Sequence, residues 1–145
     1  MAGLGHALLI DISPGDVRVA LMAARGGGRP TFSQNAKFKS GDFASLEAML
    51  AHYCALAGLT ALPTALGLSL AQPVTQDVIA LPAPAWIIDK NRLKDDFGFA
   101  EVIFVNDTSA TASSLLWLGR HDVKPIGHTS SEFQVSPSSG RYGVM

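Results

Sequence analysis

The feature that most constrains the fold is the stretch from residue 101 to residue 119, EVIFVNDTSATASSLLWLG. A run of β-branched and aromatic residues ends at the polar pair Asn106 and Asp107, and small residues then lead into an apolar LLWL segment. This pattern predicts a strand followed by a helix, with a carboxylate between them. In open α/β sheets ligands bind where the strands end, and an aspartate there can accept a proton from a substrate hydroxyl. Taken by itself, the segment favours the simpler interpretation that Asp107 caps the helix, because aspartate is a preferred N-cap residue.

The rest of the chain supplies further strands of an α/β domain. The two sequence patterns that predict strands are alternating apolar and polar residues and short apolar runs between turn residues. The expected strands cover residues 7–12, 16–21, 31–39, 64–71, 77–81 and 101–105. Pro14 and Gly15 are turn residues, so the first two strands form a hairpin and the third continues the antiparallel arrangement. The order of elements then predicts a mixed sheet with three antiparallel leading strands and flanking helices.

Two further helices are expected, because apolar residues recur three and four positions apart and capping residues mark the ends of both segments. The first follows Asp42, which would cap it, and ends at Gly58. The second is capped by Asp89 and ends before Gly98. Cys54 lies in the first helix and is interpreted as a small buried residue, because no histidine or basic residue is adjacent to activate its thiol.

Composition limits the functional classes. The 145 residues suffice for one domain with a buried core, and 48% hydrophobic against 16% charged residues indicates a folded protein. A net charge of -1 gives no electrostatic reason to expect nucleic acid or a membrane surface as partner. With a single cysteine, no signal peptide pattern and no apolar run of about 18 residues, we expect a soluble, cytoplasmic protein. The 4 histidines lack metal-binding spacing, so we expect no metal site.

Several segments, in this order along the chain, resemble the amino-terminal small domain of bacterial glucokinases, in the superfamily of sugar kinases, actin and heat-shock chaperones. They are the strand-turn-strand of residues 11–21, SLEAML at 45–50, PVTQD at 73–77, tryptophan at 86, FGF at 97–99 and VNDTSA at 105–110. The resemblance implies a ribonuclease H-like (actin-like ATPase) domain with a mixed five-stranded sheet. We expect residues 1–127 to form the small domain and residues 128–145, a Ser/Gly/Pro-rich tail, to mark the start of the family's large domain, which would be absent.

The resemblance also implies roles for polar residues. Asp107 matches the family's catalytic base, which takes the proton of the sugar 6-hydroxyl as that oxygen attacks the γ-phosphoryl group. Asn106 matches the adjacent substrate-binding asparagine. Asp11 matches the acidic residue that helps to place the metal-bound nucleotide. The resemblance therefore favours descent of Asp107 from a base over a capping role alone.

The phosphate loop departs from the family pattern. The family has Asp-X-Gly-Gly-Thr-Asn-X-Arg, whereas residues 11–18 of this chain read DISPGDVR. Ser13 and Gly15 fall on nucleotide-binding positions of the loop, but Ser13 adds a side chain, Pro14 removes an N–H donor and Asp16 adds a negative charge. All three changes oppose ATP binding. The alternative interpretation, a simple hairpin turn, is favoured because these residues are common in turns.

Two other family segments are altered. Where the family has Asn-His-Thr-Trp, with an asparagine that binds sugar hydroxyls, this chain has Ala83-Pro84-Ala85-Trp86. Trp86 is interpreted as a core residue rather than a sugar platform, because it leads into Ile87 and Ile88. Residues 136–140, SPSSG, weakly resemble a second phosphate-contacting segment, Gly-Pro-Gly-Thr-Gly, with serines in place of two glycines.

Two functional hypotheses follow. In the first, the chain has no kinase activity by itself, needs no cofactor and acts as a binding or oligomerisation module. Its partner would be a second copy, giving a homodimer, or a large kinase-domain chain, because a cleft without its second domain exposes apolar surface. In the second, the chain is part of an active glucokinase that converts glucose to glucose 6-phosphate with Mg-ATP, completed by a missing segment or a second chain. The altered loop and the lost asparagine favour the first hypothesis.

Overall fold

A computed structural model describes residues 5–24 and 28–122. The strands are β1 (Gly5–Ser13), β2 (Asp16–Ala24), β3 (Thr31–Lys39), β4 (Ala65–Leu70), β5 (Val78–Ala80), β6 (Ile87–Asp89) and β7 (Glu101–Asn106). Five of them form the main sheet, in the order β3-β2-β1-β4-β7. β2 is antiparallel to both neighbours, whereas β1, β4 and β7 are parallel. The predicted mixed sheet with three antiparallel leading strands is therefore confirmed, while β5 pairs with β6 in a separate two-stranded sheet.

The α-helices are α1 (Leu46–Ala57), α2 (Lys90–Phe97) and α3 (Asp107–Ser114). The predicted ends of α2 are confirmed: the Asp89 carboxylate accepts hydrogen bonds from two backbone N–H groups of the first turn, and Gly98 ends the helix with a φ of 74°. Gly58 ends α1 as predicted. The predicted cap of α1 is wrong, because the Ser45 hydroxyl accepts the N–H of Ala48 at 3.1 Å.

The capping role falls to Ser45 because the chain is extended between Asp42 and the helix. Asp42 ends a 3-10 turn, Ser40–Asp42, and Phe43 adopts extended backbone angles. In this conformation Phe43 packs against the core and its carbonyl accepts the indole N–H of Trp86 at 3.1 Å. The helix can therefore begin only after Phe43.

One face of the main sheet forms the core with α1 and α2. Alternate strand residues are buried on this face, as the two-residue period of a strand requires. They are Leu8, Ile10, Ile12, Val17, Val19, Leu66, Leu68, Leu70, Val102 and Phe104. Tyr53 of α1 and Leu93 of α2 are buried against them, and Trp86 is only 3% exposed. The interpretation of Trp86 as a core residue is confirmed. Cys54 packs at the edge of this core, and burial raises the pKa of its thiol.

The opposite face of the main sheet is open. Ile103 lies between the buried residues Val102 and Phe104 but is 49% exposed. α3 packs against β7 and β4 and has no buried residue. Among the described residues this face therefore has only a partial covering layer, although parallel strands are usually covered on both faces.

No helix in the described part of the chain is long and apolar enough to cross a membrane. The proposed domain boundary at residue 127 and the SPSSG segment at 136–140 lie outside the described residues.

Candidate functional site

Asp11 and Asp107 line the same groove, of about 830 Å³, on the open face of the sheet. Asp11 pairs in register with Ser69 of β4, and Ser69 pairs with Val105 of β7. Asp11, Ser69 and Val105 therefore lie side by side across the three strands, and Asp107 comes two residues after Val105. Because β1 and β7 are two strand spacings apart, their backbones are about 10 Å from each other. The structure brings these two carboxylates to the carboxyl ends of parallel strands, where ligands bind in open α/β sheets.

Asn106, and not Asp107, caps α3. The Asn106 Oδ1 accepts the N–H groups of Thr108 at 3.0 Å and Ser109 at 3.4 Å, and its Nδ2 donates to the Gln72 carbonyl at 3.1 Å. Asp107 is the first helical residue. The interpretation of Asp107 as the cap is therefore wrong, and Asp107 is one of the residues that line the groove.

The Asp107 carboxylate is oriented by its neighbour Thr108. Its Oδ1 accepts the Thr108 N–H at 2.7 Å and the Thr108 hydroxyl at 3.3 Å. No group within residues 5–24 and 28–122 donates a hydrogen bond to Oδ2. A carboxylate with one oxygen held and one oxygen available can accept a proton from a hydroxyl in the groove.

Replacing Asn106 by alanine is expected to lower the free energy of unfolding by about 1 to 3 kcal/mol. The cap contributes about 1 kcal/mol and the bond to Gln72 about another 0.5 to 1.5 kcal/mol. Urea unfolding followed by circular dichroism measures the loss. Asn106→Asp is the matched control, because aspartate keeps the capping oxygen and loses only the donor, so it should cost less. Equal stability of Asn106→Ala and the unaltered chain would contradict the assigned cap.

Residues 13–16 form a closed two-residue turn. Ser13 pairs with Asp16, and Gly15 has a φ of 86° after Pro14, the choice of residues typical of a type II turn. The Ser13 hydroxyl donates to the Asp16 carbonyl at 3.3 Å, and the Gly15 carbonyl accepts the N–H of Ser40 at 3.1 Å. The predicted hairpin is confirmed.

Two lysines hold the carboxylate of Asp16. Its oxygens lie 2.8 Å from Lys39 Nζ and 3.2 Å from Lys37 Nζ. The hydrogen bonds from Lys39 and then Lys37 lower the pKa of this carboxyl group. The carboxylate therefore stays ionised at neutral pH and pairs with both of these lysines.

These residues do not fit a cradle for nucleotide phosphates. Such a cradle needs backbone N–H groups that point into a concavity, with cations free to pair with the anion. Pro14 has no N–H, and Lys37 and Lys39 already pair with Asp16, so of the cations in the groove only Arg18 has no salt bridge among the described residues. Within the described ranges, no group of three or more His, Cys, Asp and Glu side chains is placed to hold a metal ion.

Residues 83–86 do not line the groove. They belong to the connection between β5 and β6, and Trp86 points into the core. The groove instead contains two cations that the sequence did not single out as site residues, Arg18 and Lys37. Strand alternation places Arg18 on the same face as Asp11, but the position of Lys37 depends on strand register and could not be predicted.

The glucokinase family model matches residues 8–138. A glucokinase from Nitrobacter hamburgensis is 32% identical over 117 residues, which cover 81% of this chain and 35% of that protein. The chain thus spans about a third of the length of this relative.

Two solved structures have a similar fold. A glucokinase from an Antarctic psychrotroph superposes with a TM-score of 0.72 at 25% identity, over 80% of this chain and 36% of that one. A hexokinase from Schistosoma mansoni in complex with glucose superposes with a TM-score of 0.56 at 18% identity, over 77% of this chain and 31% of that one. The second likeness shows the fold alone, which is that of the sugar kinases.

Proposed function

Because this chain belongs to the glucokinase family, we propose that it is a glucokinase-like small domain without kinase activity of its own that acts as a binding module. Residues 1–127 would form this domain, and residues 128–145 would correspond to the start of the large domain of family members. The observation that carries the proposal is the hairpin of residues 13–16, closed by its own hydrogen bonds and by two salt bridges.

The hairpin argues against nucleotide binding through two separate effects. Pro14 cannot donate a backbone hydrogen bond to a phosphate oxygen. The Asp16 carboxylate pairs with Lys37 and Lys39, two cations that could otherwise attract the phosphates. Family activity requires neutralisation of phosphate charge, so a domain whose turn lacks a backbone donor and whose two lysines are already paired is better suited to binding another molecule.

The open face of the sheet supports a binding role. Its groove is floored by apolar and small side chains, and a surface of that kind is commonly an interaction site. The partner would be a second copy of the chain or a chain that carries a large kinase domain.

A second candidate function is favoured by the position of Asp107. If a second chain completed the site, Asp107 Oδ2 would take the proton of a hexose 6-hydroxyl, and Mg-ATP would supply the phosphoryl group. Asp11 and Asp107 face the same groove, as an acceptor site beside a metal-nucleotide site would require. The residues of the hairpin oppose this function.

Titration calorimetry of the 145-residue chain tests the proposal. We expect no heat of binding with millimolar Mg-ATP or with millimolar glucose. The Asp107→Ala variant serves as the control for specific binding at the groove. Binding of either ligand by the unaltered chain, abolished in Asp107→Ala, would overturn the proposal and support the second candidate.

A further inference from the structure

On its open face, the main sheet ends in a base row of residues at the amino ends of the parallel strands. Each of the five strands contributes one residue to this row, and neighbours are paired in register: Phe32, Met22, Ala7, Ala65 and Glu101. The groove described above is lined by residues nearer the carboxyl ends, and none of these five lines it. Met22, Ala7 and Ala65 are nevertheless only partly exposed. The groove therefore stops short of the base row.

Residues 107–122 cross the open face from one corner to the opposite one. They begin at the carboxyl end of β7, at one edge of the sheet, where α3 packs against β7 and β4. They end at Asp122, whose Oδ2 lies 3.0 Å from Nη2 of Arg29. Arg29 stands two residues before β3, which forms the other edge of the sheet and begins beside the base row. The crossing therefore finishes at the amino-end corner.

The lengths of the segments allow this path. The strands span about 19 Å from edge to edge, and the helix α3 extends about 12 Å down the face. Most of residues 115–122 lie in two 3-10 turns, which gives the segment a reach of about 19 Å. This reach suffices to bring the chain from the end of α3 across the base of the face to Arg29.

Asp122 closes the crossing with two hydrogen bonds. Its Oδ2 accepts the N–H of Gly119 at 2.8 Å, within the turn, and the guanidinium of Arg29 at 3.0 Å. The side chains of Arg29 and Asp122 are 63% and 29% exposed, so ions from the solvent reach the pair. Exposed ion pairs are weak and are screened by salt. A pair of this kind is suited to reversible closure.

We propose that residues 115–122 are a strap over the base row, latched by Arg29 and Asp122, whose release extends the groove to the amino ends of the strands. The inference rests on the binding-module function proposed above and adds a means of regulating the same groove. With the strap closed the groove is short. With the strap open, Met22, Ala7 and Ala65 become additional apolar floor.

Protons do not open this latch near neutral pH. The N–H of Gly119 and then the guanidinium of Arg29 lower the pKa of Asp122, and a positive charge on His121 acts in the same direction. Because the pKa is lowered in the folded chain, the latch is intact above the ordinary aspartate value of about 3.9 and is lost as the pH falls through the lowered value. Salt or a charged partner therefore releases it under ordinary conditions.

The accessibility of engineered thiols tests the strap. Two chains are compared, Ala7→Cys in the base row and Ala20→Cys in the groove, both with Cys54→Ala so that each holds a single thiol. Both replace an alanine on the open face, so the change in side-chain size is the same. Alkylation by neutral iodoacetamide, followed by mass spectrometry, measures the reaction rate of each thiol. We expect the thiol at position 20 to react faster than the thiol at position 7.

Breaking the latch should change the rate at position 7 alone. Asp122→Asn removes the charge that pairs with Arg29 and keeps an oxygen for the N–H of Gly119. We expect it to accelerate alkylation at position 7 about two- to fivefold and to leave position 20 unchanged. Arg29→Gln should have the same effect. In about 1 M NaCl, where the Debye length is about 3 Å, the chain with the intact latch should approach the rate of Asp122→Asn.

A second salt bridge of the described residues provides the matched control. Asp77 pairs with Lys90 at 2.9 Å, before β5 and at the start of α2. Asp77→Asn also removes one charge of a surface pair, and it should leave the rates at both positions unchanged.

The outcomes separate the strap from the proposed function. An unchanged rate at position 7 in Asp122→Asn overturns the strap. Equal acceleration at positions 7 and 20 also overturns it, because that result reports loosening of the whole domain. Acceleration by Asp122→Asn without acceleration by Arg29→Gln overturns the ion pair as the latch. Calorimetric binding of Mg-ATP, together with the expected rates at position 7, overturns the proposed lack of activity and leaves the strap standing.

Discussion

Replacing Trp86 by alanine is expected to lower the free energy of unfolding by about 3 to 5 kcal/mol, the range for removal of a large aromatic side chain from a core. Trp86 is 3% exposed, and its indole N–H donates to the Phe43 carbonyl at 3.1 Å. The substitution leaves both a cavity and a partly buried carbonyl without its donor. Because domains of this size are stable by about 5 to 15 kcal/mol, much of the total would be lost. Urea unfolding followed by far-ultraviolet circular dichroism measures the change without relying on tryptophan fluorescence.

The second tryptophan of the chain provides the matched control. Trp117 is 51% exposed, so Trp117→Ala should change stability by no more than about 0.5 kcal/mol. Trp86→Phe should give an intermediate loss of about 1 to 3 kcal/mol, because it keeps an aromatic ring and removes the donor to Phe43. A sugar platform would behave differently: Trp86→Ala would then leave stability almost unchanged.

Features set by local chemistry could be predicted from the sequence. Asp89 and Gly98 were expected to begin and end a helix, and the structure has them at the N-cap and C-cap of α2. Capping depends on a side chain and the three or four residues beside it. The strands of the main sheet were also predicted, because the two-residue period and the turn residues are local signals.

Capping was mispredicted where two suitable residues stand near each other. Asp42 and Ser45 both have capping side chains, and the extended backbone of Phe43 selects Ser45. Asn106 and Asp107 present the same choice. Asn106 is selected because its amide also donates to the Gln72 carbonyl, which a carboxylate could not do. Both choices depend on tertiary contacts that a local pattern does not contain.

The surroundings of the candidate site depend on strand register, which the sequence does not specify. The pairing of β2 with β3 shifts between Val19 and Leu21, near Gln34, whose φ is 52°. A slip of one residue would turn every side chain of β3 to the other face. The position of Lys37 beside Arg18, and of both lysines at Asp16, follows from this irregular register. Asp11 and Asp107 could be predicted as candidates, but the cations around them could not.

Restoring a family-like turn is expected to increase the affinity for Mg-ATP by at least about tenfold, equivalent to about 1.4 kcal/mol of binding free energy. The variant combines Ser13→Gly, Pro14→Gly and Asp16→Asn and keeps Gly15, whose φ of 86° favours glycine. Removal of the proline ring restores a backbone N–H, and removal of the Asp16 charge releases Lys37 and Lys39 to pair with phosphate. Titration calorimetry with Mg-ATP measures the gain, after circular dichroism has shown that the variant is folded.

The three changes act through different physical effects, so partial variants separate them. Asp16→Asn alone should give a small gain that weakens with added salt, because it changes only charge. Ser13→Gly with Pro14→Gly should give a gain that persists in salt, because the first change removes a side chain and the second adds one backbone donor. If Mg-ATP binds the unaltered chain as tightly as the triple variant, the hairpin does not oppose nucleotide binding. The closed turn at Ser13 to Asp16 would then be compatible with kinase chemistry, and Asp107 would be the residue to test next as a base.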